Sequence, residues 1–87
     1  MPPSEWFMYV VECSDGSLYT GVTTDVQRRL HEHNSTARGA KYTRPRRPVT
    51  LIYASPPADR STVMRQEAAF KTLSREQKII TLRESNK

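Results

Sequence analysis

Two runs of β-branched, aromatic and apolar residues, Trp6 to Cys13 and Leu18 to Thr23, flank the polar stretch Ser14-Asp15-Gly16-Ser17. This pattern predicts a β-hairpin. The length of its loop sets the parity of everything on it. A two-residue loop at Asp15-Gly16 places Tyr9 and Tyr19 on opposite faces, whereas a three-residue loop at Ser14-Asp15-Gly16, with Gly16 left-handed, places them on one face. Both loops are compatible with these residues.

Thr24-Asp25-Val26-Gln27 has the form of a capping box and predicts a helix running to about Asn34. At 100° per residue, Val26 and Leu30 mark its inward stripe, and Arg29 and His33 fall on that same stripe, while Arg28, His31 and Glu32 point outward. A polar, cationic loop follows from Ser35 to Pro48, and Val49-Thr50-Leu51-Ile52-Tyr53-Ala54 reads as a third strand stopped by Pro56-Pro57. A second helix is predicted from about Asp59 or Ser61 to Leu73, with Val63, Phe70 and Leu73 as its apolar stripe and Glu67 inside that arc. Ser74-Arg75-Glu76-Gln77 forms a second capping box, opening a short helix with Ile79, Ile80 and Leu82 before a polar tail. The order is β-β-α-β-α-α, an α+β fold. One domain is expected over residues 1–87, with its core at about 5–82 and the tail at 83–87.

Composition narrows the class. At 87 residues and 36% hydrophobic content the chain suits one small globular domain with a thin core. The longest apolar run, Trp6 to Val11, is too short for a membrane span or a signal peptide, so a cytoplasmic protein without membrane contact is expected. Cys13 stands alone, which excludes an internal disulfide, and with His31 and His33 it falls short of a structural zinc set. The net charge of +5 is unevenly spread: no acidic residue lies between His33 and Ala58, where Arg38, Lys41, Arg44, Arg46 and Arg47 all fall. An unneutralised cationic segment of this kind suits a polyanion, nucleic acid first, although a solvated loop of a basic protein has the same composition.

Several positions break the core pattern: Arg29 and His33 on one inward stripe, Glu67 on another, and two tyrosines on the hairpin. Chemistry on a phosphodiester needs a cation for its oxygens, a carboxylate for a divalent metal and groups that orient or deprotonate water. Arg29, Glu67 and the tyrosines meet those needs. A buried Arg29–Glu67 salt bridge, with Tyr9 and Tyr19 as ordinary strand aromatics, explains the same positions, and spacing alone leaves both open.

Tyr9 at the end of Phe7-Met8-Tyr9, then Tyr19-Thr20-Gly21, then Arg29 ten residues beyond Tyr19, then a helical Glu67, resemble the GIY-YIG nuclease domain. The stretch from Leu18 to Leu30, with His33-Asn34, Gly39-Ala40-Lys41-Tyr42-Thr43-Arg44 and Leu73-Ser74, is similar to small stand-alone bacterial members of that superfamily. The resemblance implies a three-stranded antiparallel sheet between helices and a metal-dependent DNA endonuclease of the repair or recombination type. It implies that Tyr9 and Tyr19 orient or deprotonate the attacking water, with either as the base. Arg29 would stabilise the phosphate, His33 would assist at the phosphate or leaving group, and Glu67 would hold one Mg²⁺ or Mn²⁺. Arg38, Lys41, Arg44, Arg46 and Arg47 would bind the DNA backbone. Phe7-Met8 replaces the Gly-Ile of the first motif. Val22 stands where some members carry a lysine, which leaves Lys41 or Lys71 to supply one. With no room for an appended DNA-binding domain, specificity would be weak, structural or supplied by a protein partner. The alternative is a non-catalytic nucleic-acid-binding or adaptor module that keeps the fold. A weaker third reading is a protein-interaction domain using Ile79, Ile80 and Leu82.

Overall fold

The computed structural model describes residues 5–85, so the ends of the expected domain and tail, residues 1–4 and 86–87, lie outside the described residues. The hairpin pairs β1 (Phe7–Glu12) with β2 (Leu18–Thr23), and Tyr9 lies opposite Gly21 and Val11 opposite Tyr19. The loop is the three-residue one. Cys13 N–H donates to Ser17 O at 2.8 Å and Gly16 N–H to Cys13 O at 2.9 Å, and Gly16 takes φ +84°, which an L side chain rarely adopts. Tyr9 and Tyr19 therefore share one face. The third strand, β3 (Thr50–Ala54), pairs antiparallel with β1, giving the order β2-β1-β3 with β1 central and β2 and β3 as edges.

Helix α1 (Val26–Ser35) starts one residue later than a Thr24 capping box implies. The Asp25 carboxylate takes the cap position and accepts from Arg28 N–H at 3.0 Å, while Thr23 Oγ1 accepts from Asp25 N–H at 3.1 Å. An aspartate one position closer to the apolar run satisfies the orphan amide directly. Helix α2 (Arg60–Lys71) is capped by Asp59 in the same way, at 2.8 Å to Thr62 N–H. The last helix, α3 (Arg75–Ser85), opens on the reciprocal capping box expected of Ser74 and Gln77. It continues through residues 83–85, so that part of the expected polar tail is helical.

Two apolar clusters cover the two faces of the sheet. Met8, Val10, Phe70 and Leu82, with Ile52, Tyr53 and Leu73 packed on them, form the face covered by α2 and α3. Tyr9, Val11, Cys13 and Val49, with Tyr19, Val26, Leu30 and Leu51, form the other, towards α1. This alternation along β1 follows from the two-residue period of a strand and fixes Tyr9 on the α1 side. Leu82 enters the core, leaving Ile80, 48% exposed, as the outward member of the trio on α3.

Candidate active site

His33 occupies the inward stripe of α1 and is fully buried. Its Nε2 lies 2.7 Å from Tyr9 Oη, and its Nδ1 lies 3.0 Å from Thr43 Oγ1 and 3.3 Å from the Ala40 amide nitrogen. The ring is thus held at both nitrogens, by the Tyr9 phenol on one side and by Thr43 and the Ala40 amide on the other. Burial, and then the charge of Arg29, push the His33 pKa down from 6.5 to about 4, so the ring is neutral at physiological pH. Burial pushes the Tyr9 phenol up from 10.0 to about 12, against the pull of the Arg29 guanidinium. The charges of Tyr19 and, least of all, Glu67 add to that rise.

Gly21 is the reason that Tyr9 fits. A Cβ there would meet Tyr9 Oη at 2.5 Å and its ring carbon Cζ at 2.7 Å, so the ring lies directly across the glycine backbone. A glycine inside a strand is the sequence signal for such a close approach.

Arg29 and Glu67 do not pair with each other. The Arg29 Nη1 donates to Glu32 Oε1 at 3.1 Å and to Arg38 O at 2.6 Å, and Glu67 Oε2 lies 3.4 Å from Lys71 Nζ. The buried Arg29–Glu67 bridge is thus replaced by two separate pairs. Glu32, expected to point outward, is turned in by Arg29, and its side chain is only 15% exposed. Glu67 is likewise inward, at 18%. Its pair with Lys71 leaves Lys41, of the two lysines considered for a catalytic role, the one outside any ion pair among the described residues.

The cationic loop divides. Arg47 reaches back to the end of α1, donating to the carbonyls of His33, Glu32 and Thr36. It is a helix cap, and the charge expected on a nucleic-acid surface is spent on the negative end of the helix. Gly39 packs against the same helix end, where a Cβ would meet Glu32 O at 2.7 Å. Arg46 pairs with Asp15 at 3.0 Å, donates to Tyr42 O and lies 4.0 Å over the Tyr42 ring, tying the loop to the hairpin turn. Arg38, Lys41 and Arg44 are exposed, with no side-chain hydrogen bond or ion pair to the described residues.

Sequence reasoning assigned no role to Thr43 or Tyr42. Thr43 is fully buried against His33, and Tyr42 stacks on Tyr19 at 6.0 Å between ring centroids, while Tyr19 meets His33 edge-on at 5.3 Å. Both come from an irregular loop, where no periodicity marks the inward position.

A sheet that carries two tyrosines on one face, closed by a helix bringing arginine and histidine to them and a second helix bringing a carboxylate, defines a nuclease-type α+β fold. The sequence profile of the GIY-YIG catalytic domain matches residues 5–85, and the chain belongs to that family. It is 51% identical over 82 residues to a UPF0213 protein of Desulfotalea psychrophila, covering 94% of this chain and 74% of that relative. Identity to a UPF0213 protein of Streptococcus agalactiae is 53% over 78 residues, covering 90% and 88%. Among solved structures, the solution NMR structure of a protein from E. faecalis superposes with a TM-score of 0.67 at 46% identity, covering 97% of this chain and 88% of that one. The NMR structure of a UPF0213 protein from Bacillus halodurans gives 0.59 at 42% identity, covering 90% and 82%. No helix among the described residues is long and apolar enough to cross a membrane.

Proposed function

We propose that this protein is a divalent-metal-dependent phosphodiesterase that cuts DNA, an endonuclease suited to repair or recombination. The observation that carries the reading is the convergence of the Tyr9 phenol, the neutral His33 ring and the Arg29 guanidinium, with the Glu67 carboxylate inward on α2. Arg29 engages Glu32 and Arg38 through Nη1 and lies against the Tyr9 phenol, and its remaining N–H donors can take a phosphate. His33 holds Tyr9 through the Oη–Nε2 hydrogen bond, and the nearby Arg29 guanidinium favours the phenolate that a general base would need. Tyr19, half-buried against His33, is the second candidate to orient water. Arg38, Lys41 and Arg44 are the backbone-binding cations, with Arg46 at their margin.

The donor set fits one ion of limited protein coordination. Among the described residues no three His, Cys, Asp or Glu side chains cluster, so a closed protein cage is absent. Of the two inward carboxylates Glu32 is paired with Arg29, and Glu67 is the one that suits Mg²⁺ or Mn²⁺ completed by water and substrate phosphate. When bound, such an ion supplies positive charge to a phosphate oxygen and acidifies water. The buried free thiol of Cys13 suits the reducing cytoplasm, and a protein partner would supply substrate specificity.

A second reading has its own support. As folded, Tyr9 is 2% exposed with its pKa near 12, and Glu67 is tied to Lys71, so neither the phenol nor this carboxylate stands ready for its catalytic role. A binding or adaptor module that keeps the fold without turnover has these properties. The deciding experiment is cleavage of end-labelled single-stranded, duplex, flap and branched DNA with Mg²⁺ or Mn²⁺ by the wild type, Glu67→Ala and Arg29→Ala. Metal-dependent products lost in both variants, with Glu67→Ala still binding DNA, are expected. Unchanged cleavage by Glu67→Ala overturns the assignment, and binding without cutting on every substrate selects the module.

A further inference from the structure

Along the outer edge of β2 lies an open cleft of about 250 Å³, lined by Leu18, Tyr19, Thr20, Tyr42, Lys71 and Lys78. It joins the candidate site at two points. Tyr19, on one wall, meets the His33 ring edge-on, and Lys71, on another, holds the Glu67 carboxylate at 3.4 Å. Its chemistry is specific. Two ammonium groups from the two helices α2 and α3 line it with an aromatic pair, Tyr19 stacked with Tyr42, whose ring also carries the Arg46 guanidinium at 4.0 Å and which is 41% exposed. Lys78 forms no ion pair with the described residues and lies 5.7 Å over the Phe70 ring, so its charge is available to an anion.

From this arrangement we infer that the cleft is a subsite for an unpaired nucleotide strand running past Tyr19 into the phosphate site. Lys71 and Lys78 would take backbone phosphates, and a base would rest against the layer that Tyr19, Tyr42 and the Arg46 guanidinium form together. The inference rests on the nucleic-acid reading above and deepens it by naming the form of substrate. Aromatic surface beside cationic groups is how proteins hold single strands, because every base has a π-face and duplex bases are already stacked on each other. The exposed Arg38, Lys41 and Arg44 come from the loop after α1 and the lysines from α2 and α3, so Tyr19 stands between two cationic sources that a single strand could bridge.

The test is fluorescence anisotropy with a short labelled oligothymidylate, in EDTA to prevent cutting, over a series of salt concentrations. Each phosphate contact to a single strand contributes about 0.7 to the slope of log K against log[salt]. Lys71→Gln with Lys78→Gln should lower that slope by about 1.4, and Lys78→Gln alone, which leaves the Glu67–Lys71 pair intact, by about 0.7. The double arginine variant should restore the wild-type slope, which a change in folding would not. Tyr42→Ala should weaken binding to the single strand about tenfold and binding to blunt duplex much less. A wild type with no salt-sensitive binding overturns the nucleic-acid reading itself. A wild type that binds, with slopes unchanged in both lysine variants, overturns the subsite alone. Equal losses on single strand and duplex in Tyr42→Ala overturn its preference for unpaired bases.

Discussion

Tyr9 and His33 meet at 2.7 Å, Oη to Nε2, in a position where water reaches neither: their exposures are 2% and 0%. The strand period puts Tyr9 on the α1 face, and the helix period puts His33 on the β1 face. The Ala40 amide and Thr43, from the loop that follows, close over the far side of the ring. The contact is therefore held from three elements, and its electrostatics follow from its burial.

That burial makes stability depend on pH. His33 has a folded pKa of about 4, below its ordinary 6.5, so between those values the unfolded chain binds more protons than the folded one. The contribution is complete above pH 6.5 and is lost as pH falls towards 4, and at 1.36 kcal/mol per unit it amounts to about 3 kcal/mol. Urea unfolding across this range should show the loss, and His33→Gln should flatten it.

Tyr9 has the opposite limb. Its folded pKa is raised from 10.0 to about 12, so the stability it contributes is full below pH 10 and is lost as pH rises towards 12. The tyrosinate absorbance change near pH 12 should disappear in Tyr9→Phe.

Thr43→Val keeps the volume and removes the hydroxyl that lies 3.0 Å from both His33 Nδ1 and Ala40 O. The expected cost is about 1–2 kcal/mol, read from thermal or urea unfolding. The ¹⁵N shifts of His33 should change at Nδ1, which loses its hydroxyl partner, far more than at Nε2.

Gly21→Ala places a methyl group 2.5 Å from Tyr9 Oη. Either β2 or the Tyr9 ring must shift, at about 1–3 kcal/mol, and the His33 contact shifts with it. A loss of stability with altered Tyr9 and His33 side-chain NMR signals is expected. An unperturbed spectrum would mean that the ring does not lie across the glycine.

Arg44→Ala and Arg47→Ala should separate cleanly. Arg47 caps α1, so its loss should lower stability by about 1–2 kcal/mol and leave the salt slope of DNA binding nearly unchanged. Arg44 is exposed, so its loss should leave stability within about 0.5 kcal/mol and lower the slope on duplex DNA by about 0.9.

Much of this architecture was legible in the sequence because it is local. Alternation of apolar residues marks a strand, a 3.6-residue stripe marks a helix, and Ser14-Asp15-Gly16 closes a turn within a few bonds. The inward positions of Arg29, His33 and Glu67 were legible for the same reason, since a stripe shows its polar interruptions without any knowledge of what lies opposite. The resemblance carried by Tyr9, Tyr19 and Gly21 led to the family itself.

Which group each of those side chains meets was decided only by the folded chain. Arg29 had Glu67 as a plausible partner by spacing and took Glu32, three residues away on its own helix. Arg47 looked like one of five equivalent cations until the loop returned it to the carbonyls of α1. Thr43 gave no sign of its place beside His33, and the cleft of Tyr19, Tyr42, Lys71 and Lys78 assembles from β2, a loop and two helices. Periodicity determines which way a side chain points from its own backbone. A buried polar group's partner depends on how distant segments close on one another, and that closure is set by packing of the whole core.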